Sequence, residues 1–132
     1  MIKGIHHIAY ITEDLGKMTE FFEKILGFEL VKKMYYEPWK LDIVLFKSGA
    51  QYIEVIKPLE PGSPPYRFLK KRGEGLYHVA FLSDNIEEDM DTFRRKGVKF
   101  LEDKPARGVD WLIATAINDE GDIEFQIAQN TD

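Results

Sequence analysis

The stretch His7–Leu15, HIAYITEDL, recurs 71 residues later as His78–Ile86, HVAFLSDNI. Every position is identical or chemically similar in the two copies. Further along, Ile53–Val55 (IEV) corresponds to Ile123–Phe125 (IEF) at a spacing of 70 residues. The sequence therefore contains two copies of a module of roughly 55 residues. A module of that size buries little apolar surface alone, so we expect the two copies to pack into a single domain spanning residues 1–132.

The hydrophobic periodicity of each copy predicts one strand, one helix and then three strands. Asp14 and Asn85 stand at helix N-cap positions, and Gly27 and Gly97 follow the predicted helices. The predicted strands lie at residues 5–12, 28–37, 41–47 and 51–57 in the first copy, and at 98–102, 111–117 and 122–129 after the opening strand of the second. The pattern thus predicts an α+β fold of two tandem βαβββ modules.

The module boundaries follow from this pattern. Residues 1–58 form the first βαβββ module and residues 76–132 form the second. Residues 59–75 are expected to be a linker with a short helix, because Ser63 is a suitable N-cap and Pro64 suits the first helical position. Arg67, Lys70, Lys71 and Arg72 give this helix a basic face, which suits either solvent or the phosphate groups of a ligand.

Composition excludes several classes of protein. The chain has 44% apolar residues, so a disordered chain is not expected. A net charge of −5 argues against a nucleic-acid partner. No run of about 18 apolar residues is present, so we expect no membrane span, and the N-terminus lacks the apolar stretch of a signal peptide. Without cysteine there is no disulfide or thiolate metal site, and a cytoplasmic location is expected.

The repeat pairs two residue types that bind metals. His7 corresponds to His78, and Glu54 corresponds to Glu124. Two neutral imidazoles and two carboxylates would form a neutral site around one divalent ion, and nickel, cobalt, zinc, manganese and iron all suit these donors. Four protein ligands of an octahedral ion leave two positions for water or substrate, which suits Lewis-acid catalysis.

Two positions have rivals within this interpretation. His6 precedes His7 and would point to the opposite face of a strand. Gln126 shares a face with Glu124, and the register of the last strand is uncertain near Gly121. Taken singly, a strand histidine is more often structural and a strand glutamate more often solvated; the duplication of both favours the metal site.

The chain resembles the vicinal oxygen chelate superfamily, which is also called the glyoxalase, bleomycin-resistance and dioxygenase superfamily. Within it, Ser63–His78 (SPPYRFLKKRGEGLYH) is most similar to the methylmalonyl-CoA epimerases. This resemblance implies an open, cupped mixed sheet around a divalent metal, with the ligand positions at His7, Glu54, His78 and Glu124. One departure is Glu54, because the epimerases often have glutamine there and the lactoylglutathione lyases have glutamate.

The resemblance implies an isomerase that removes a proton next to a carbonyl or thioester of a small substrate. Glu124 would carry the proton, and Glu37 would act as a second base on the opposite face, although Glu37 equally suits a solvated turn before Pro38. A lactoylglutathione lyase and a small-molecule-binding resistance protein without catalysis are the alternatives. A ring-cleaving dioxygenase is less well supported. A homodimer remains open as an alternative to a monomer.

Overall fold

The computed structural model describes residues 1–131, and the chain divides into two compact units. One unit is residues 7–77. The other joins residues 1–6 to the chain from His78 onward. The strand β1 (Ile2–Ile11) therefore contributes residues to both units. Each unit carries one half of the predicted repeat, and each is described below by itself.

In the unit of residues 7–77, the strand order is β2-β3-β4-β1. Strand β1 runs parallel to β4, and the other neighbours are antiparallel. The elements after β1 are α1 (Leu15–Glu20), β2 (Glu29–Tyr36), β3 (Leu41–Ser48), β4 (Gln51–Pro58) and α2 (Pro64–Arg72). Phe22, beyond the end of α1, packs on Val44, Phe46, Ile53 and Val55. This apolar layer covers one face of the sheet, as expected of a half-buried antiparallel sheet.

In the other unit, the strand order is β5-β9-β8-β6, and a short strand β7 also pairs with β8. The elements are β5 (Gly75–Ser83), α3 (Ile86–Arg95), β6 (Lys99–Phe100), β7 (Ala106–Arg107), β8 (Trp111–Ile117) and β9 (Ile123–Asn130). Strand β5 is parallel to β9, and β8 is antiparallel to β9. Ile86 and Met90 of α3 pack against Ala114 and Ile127 of the sheet.

The predicted helix caps are confirmed. The Asp14 carboxylate accepts a hydrogen bond from the Lys17 N–H at 3.0 Å, and the Asn85 side chain accepts one from the Glu88 N–H at 3.2 Å. In the linker, the Ser63 hydroxyl accepts from the Tyr66 N–H at the start of α2. These bonds satisfy N–H groups that a helix leaves unpaired at its first turn. Within residues 1–131, none of the helices is long and apolar enough to cross a membrane.

The elements differ from the predicted ones in each copy. The helix of the first copy continues beyond α1 as a π-helical turn, Phe21–Ile25. In the second copy, the strand expected over residues 98–102 is only two residues long, and β7 is an additional short strand. Between β6 and β7 the chain leaves β8, and the Glu102 side chain bonds the backbone N–H of Thr115 where a strand partner would otherwise do so. Side-chain hydrogen bonds of this kind are not visible in hydrophobic periodicity.

Candidate metal centre

In the unit of residues 7–77, the structure brings His7 and Glu54 together. Their potential ligand atoms lie within 4.8 Å of each other, and both side chains are buried. In the parallel β1–β4 pair, His7 faces Tyr52 and Ala9 faces Glu54. His7 and Glu54 are therefore diagonal neighbours on one face of the sheet. Two of the residues predicted as metal ligands therefore lie side by side within this unit.

Glu54 is a carboxylate in apolar surroundings. Its neighbours across the sheet are Ala9 on β1 and Leu45 on β3. Burial raises the pKa of Glu54 from 4.5 to about 7. A carboxylate held in this way gains from a cation beside it, because the charged form is otherwise poorly solvated. Next to a buried imidazole, it provides two of the donors that a divalent transition metal prefers.

In the other unit, His78 lies on β5 and is also buried. Burial lowers the pKa of its imidazole from 6.5 to about 4, and a polar contact with the Gln126 side chain acts in the opposite direction. The imidazole is therefore neutral at pH 7. A neutral imidazole is the form that coordinates metals.

Gln126 belongs to a chain of hydrogen bonds within this unit. Its Nε2 donates to the Thr115 hydroxyl at 3.1 Å. The Thr115 hydroxyl donates to the Glu102 carboxylate at 2.8 Å, and the Thr115 N–H donates to the other oxygen of Glu102 at 2.6 Å. Desolvation raises the pKa of Glu102, although the two bonds from Thr115 oppose that effect. Gln126 is thus held at a fixed position beside His78.

The register of β9 corrects the predicted equivalence of Glu54 and Glu124. Ala9 faces Glu54 in the first copy, and its counterpart Ala80 faces Gln126 in the second. Gln126, and not Glu124, therefore occupies the position that corresponds to Glu54. Glu124 is exposed. The hairpin of the second copy is longer: Leu45 and Glu54 face each other nine residues apart, whereas Thr115 and Gln126 face each other eleven residues apart. Both a longer turn and one extra residue on β9, Glu124, at an irregularity of the pairing contribute to this difference.

Glu37 and His6 lie in different surroundings. Glu37 begins the 3-10 turn Glu37–Trp39, is exposed and forms an ion pair with Lys40 at 3.6 Å. Its predicted role as a second base stays a prediction. His6 is buried in the unit that contains residues 1–6, where its Nε2 lies 2.8 Å from the Asn130 side-chain oxygen and its ring packs edge-on against Trp111. These contacts give His6 a structural role.

Comparison with known proteins shows the family. The Glyoxalase/Bleomycin resistance protein/Dioxygenase superfamily matches residues 6–115. The chain belongs to this superfamily. The predicted family and the predicted α+β fold are confirmed, since solved structures of superfamily members share the fold. Superfamily members bind divalent metals, and His7, Glu54 and His78 are residue types suited to that task.

Three known proteins show what the chain is similar to within the superfamily. The uncharacterised protein YqjC of Bacillus subtilis is 28% identical over 80% of this chain and 76% of its own length. The mitochondrial methylmalonyl-CoA epimerase of Bos taurus is 28% identical over 79% of this chain and 60% of its own. A Streptomyces coelicolor methylmalonyl-CoA epimerase variant, solved in complex with 2-nitronate-propionyl-CoA, is 26% identical with a TM-score of 0.91, covering 99% of this chain and 96% of that one.

Sequence reasoning missed Thr115 and Glu102. Both are polar residues in a predicted strand region, where a solvated or structural role is the usual interpretation. The available signal was Thr115 itself, a hydroxyl residue between alanines in an otherwise apolar strand. A buried threonine needs a hydrogen-bond partner, but the sequence does not identify that partner.

Proposed function

We propose that the protein is a divalent-metal-dependent epimerase that moves a proton next to the carbonyl of an acyl-coenzyme A thioester. The buried pair of His7 and Glu54, in a chain similar to methylmalonyl-CoA epimerases over most of its length, is the observation that supports this reaction most directly. A buried carboxylate whose pKa is raised in the metal-free protein is typical of a functional site, and a carboxylate beside a metal ion can accept and return a proton.

The proposed ligands are His7, Glu54 and His78, with Gln126 at the fourth position in place of Glu124. All four side chains are buried. The donor set fits a divalent ion because it offers two imidazoles, one carboxylate and one amide oxygen. The single carboxylate gives the occupied site a net positive charge, which favours an anionic reaction intermediate.

A bound divalent ion would polarise the thioester carbonyl and stabilise the negative charge that develops on its oxygen. The protein residues hold the ligand groups in place and accept the proton. His7 and His78 are held by their strands, and Gln126 is held by Thr115. The Glu54 carboxylate is the proposed acceptor of the proton from the neighbouring carbon, and it returns the proton to the same atom or loses it to exchange.

Inversion at that carbon requires a second group on the opposite face of the substrate. We assign this role to Glu37, as the family resemblance implies. The exposed position of Glu37 in a turn after β2 is compatible with a group that meets substrate when it binds. Removing Glu37 should therefore abolish inversion while leaving proton exchange on one face.

The second candidate is a lactoylglutathione lyase. The specific observation in its favour is Glu54, since glutamate at this position is typical of those lyases. Both reactions remove a proton next to a carbonyl, so the same residues would serve either one. The two candidates differ in the substrate that is accepted.

Deuterium exchange tests the proposal. Metal-loaded protein is incubated in deuterated buffer with methylmalonyl-CoA or with the hemithioacetal of methylglyoxal and glutathione, and deuterium at the reacting carbon is measured by mass spectrometry. We expect exchange with methylmalonyl-CoA. Glu54→Gln should slow it by about 10²- to 10⁴-fold, the usual contribution of a general base. Glu124→Gln is the matched control, because it removes an exposed carboxylate of the unit that holds β9.

The outcomes separate the candidates. Exchange with the hemithioacetal alone would replace the epimerase with the lyase. Exchange with neither substrate in metal-loaded protein would remove both reactions and favour the binding protein. Metal content must be measured on every variant, so that a loss of metal is not taken for a loss of the base.

A further inference from the structure

The buried Thr115 and the half-buried Glu102 form a pair whose partner is Gln126. Thr115 faces Gln126 directly across the β8–β9 pair, and its side chain is fully buried. The loop after β6 holds both backbone groups of Thr115: the Leu101 N–H donates to the Thr115 carbonyl at 2.8 Å, and Glu102 accepts from the Thr115 N–H. The Glu102 carboxylate is therefore fixed relative to the Thr115 hydroxyl.

The donors and acceptors of this chain determine the orientation of Gln126. A hydroxyl has one hydrogen to donate, and Thr115 donates it to one Glu102 oxygen while its backbone N–H donates to the other. The Thr115 oxygen can then only accept from Gln126, so the amide group that faces it must be the NH2. The carbonyl oxygen of Gln126 is left as the atom available to His78 and to a cation.

The first copy lacks this arrangement at the corresponding position. Leu45 faces Glu54 across β3 and β4, as Thr115 faces Gln126 across β8 and β9. The fold thus accommodates a leucine at this position, and the hydroxyl is not a requirement of strand pairing. A carboxylate presents oxygen in either orientation, whereas an amide presents oxygen in only one of two. The half with the amide is the half with the hydrogen-bond chain.

We propose that Thr115 and Glu102 are positioning residues, which turn the amide of Gln126 so that its oxygen, and not its NH2 group, faces the metal site. This inference rests on the proposed metal site for its functional consequence. Without the pair, both orientations of the amide would be populated, and the one with NH2 directed at the cation cannot bind it.

Cobalt binding to the full chain tests the consequence. The apparent affinity for Co²⁺ and its visible absorption spectrum are measured for the wild type, Thr115→Val, Thr115→Ser, Glu102→Gln and the double variant Thr115→Val/Glu102→Gln. Thr115→Val should weaken cobalt binding by about 10- to 100-fold, the usual cost of losing a group that orients a metal ligand, and should change the spectrum. Thr115→Ser should restore both. Glu102→Gln should match Thr115→Val, and the double variant should be no worse than either single one, because both act on the same amide.

Thr12→Val is the matched control for stability. The buried Thr12 hydroxyl donates to the Glu74 carboxylate at 2.8 Å, the same length as the Thr115–Glu102 bond, and it bonds none of the proposed ligands. This variant should lower stability without altering cobalt affinity or spectrum. Wild-type cobalt binding by Thr115→Val, or an equal loss in Thr12→Val, would overturn the positioning role.

A second measurement does not depend on the metal. In metal-free protein, the Gln126 side-chain NH2 should exchange its hydrogens with solvent slowly in the wild type and in Thr115→Ser, and faster in Thr115→Val, as detected by NMR. If the wild type binds no cobalt, the proposed metal site fails. The exchange of the amide then still decides whether Thr115 fixes Gln126, and unchanged exchange in Thr115→Val would overturn that inference.

Discussion

Glu54 combines burial with apolar neighbours, Ala9 and Leu45, on the adjacent strands. In the metal-free protein its folded-state pKa of about 7 lies above the ordinary value of 4.5. The folded protein therefore binds this proton more tightly than the unfolded chain does. Its contribution is most favourable below pH 4.5, falls between pH 4.5 and 7, and is constant above pH 7.

Glu54→Gln should consequently gain stability relative to the wild type as the pH rises from 4.5 to 7. The relative gain should reach about 3 kcal/mol, because each pKa unit corresponds to about 1.4 kcal/mol. Urea unfolding with a chelator present, at about pH 4 and about pH 7.5, measures it. His78 acts in the opposite sense, since its lowered pKa costs stability as the pH falls from 6.5 to about 4. Comparing the variant with the wild type cancels that effect. A difference that does not change with pH would contradict the buried, titrating carboxylate.

The three histidines should differ in their importance for metal binding. His7→Ala and His78→Ala each remove a proposed ligand, and each should weaken cobalt binding by more than about 100-fold, since even supporting residues contribute 10- to 100-fold. His6→Ala should leave the affinity unchanged, because His6 is engaged with Asn130 and Trp111. Isothermal titration with Co²⁺ measures all three. Loss of affinity in His6→Ala alone would mean that the faces of β1 are assigned the wrong way round.

At the scale of the elements, strand β9 shows what the sequence could and could not predict. Strand β8 was predicted at its observed bounds, Trp111–Ile117, because a run of apolar residues ends at Asn118. The equivalence of Glu124 with Glu54 was wrong, because the turn between β8 and β9 is longer than the turn between β3 and β4 and an irregularity in the pairing adds a residue to β9. The sequence does not reveal where such residues are added. Glu124 and Gln126 both lie near the expected position, so the pattern alone could not decide which of them corresponds to Glu54. The starts of the helices, in contrast, have a local signature. Asp14 and Asn85 cap N–H groups only three residues further along the chain, so a short stretch of sequence is enough to predict them.

The register of β9 leads to a prediction with two variants. Glu124→Gln should leave cobalt affinity unchanged and alter the free energy of unfolding by less than about 0.5 kcal/mol, as is usual for an exposed site. Gln126→Leu should weaken cobalt binding, and it should also cost about 1 to 3 kcal/mol, because the Thr115 hydroxyl loses its donor. Urea unfolding and cobalt titration measure both quantities. The reverse pattern would restore Glu124 as the counterpart of Glu54.

At the scale of the whole molecule, the duplication accounts for the composition of the proposed ligand set. The two copies provide a histidine each, His7 and His78, but a carboxylate in one copy and an amide in the other, Glu54 and Gln126. The first copy surrounds its carboxylate with apolar residues, and the second holds its amide by hydrogen bonds. The two halves can thus diverge in chemistry while keeping one fold.

The whole chain should bind about one divalent ion, and binding should stabilise the folded state. The proposed ligands are dispersed along the sequence, so the unfolded chain has no preformed site, and metal affinity appears as folding free energy. At a free metal concentration 100 times the dissociation constant, the stabilisation should be about 2.7 kcal/mol. Elemental analysis gives the stoichiometry, and urea unfolding with and without Co²⁺ gives the stabilisation. His7→Ala should abolish the stabilisation by cobalt, whereas His6→Ala should retain it. A ratio of about one ion per two chains would assign the ligands to a site shared between copies, and a wild type that takes up no cobalt, nickel, manganese or zinc would leave the binding protein as the function to test.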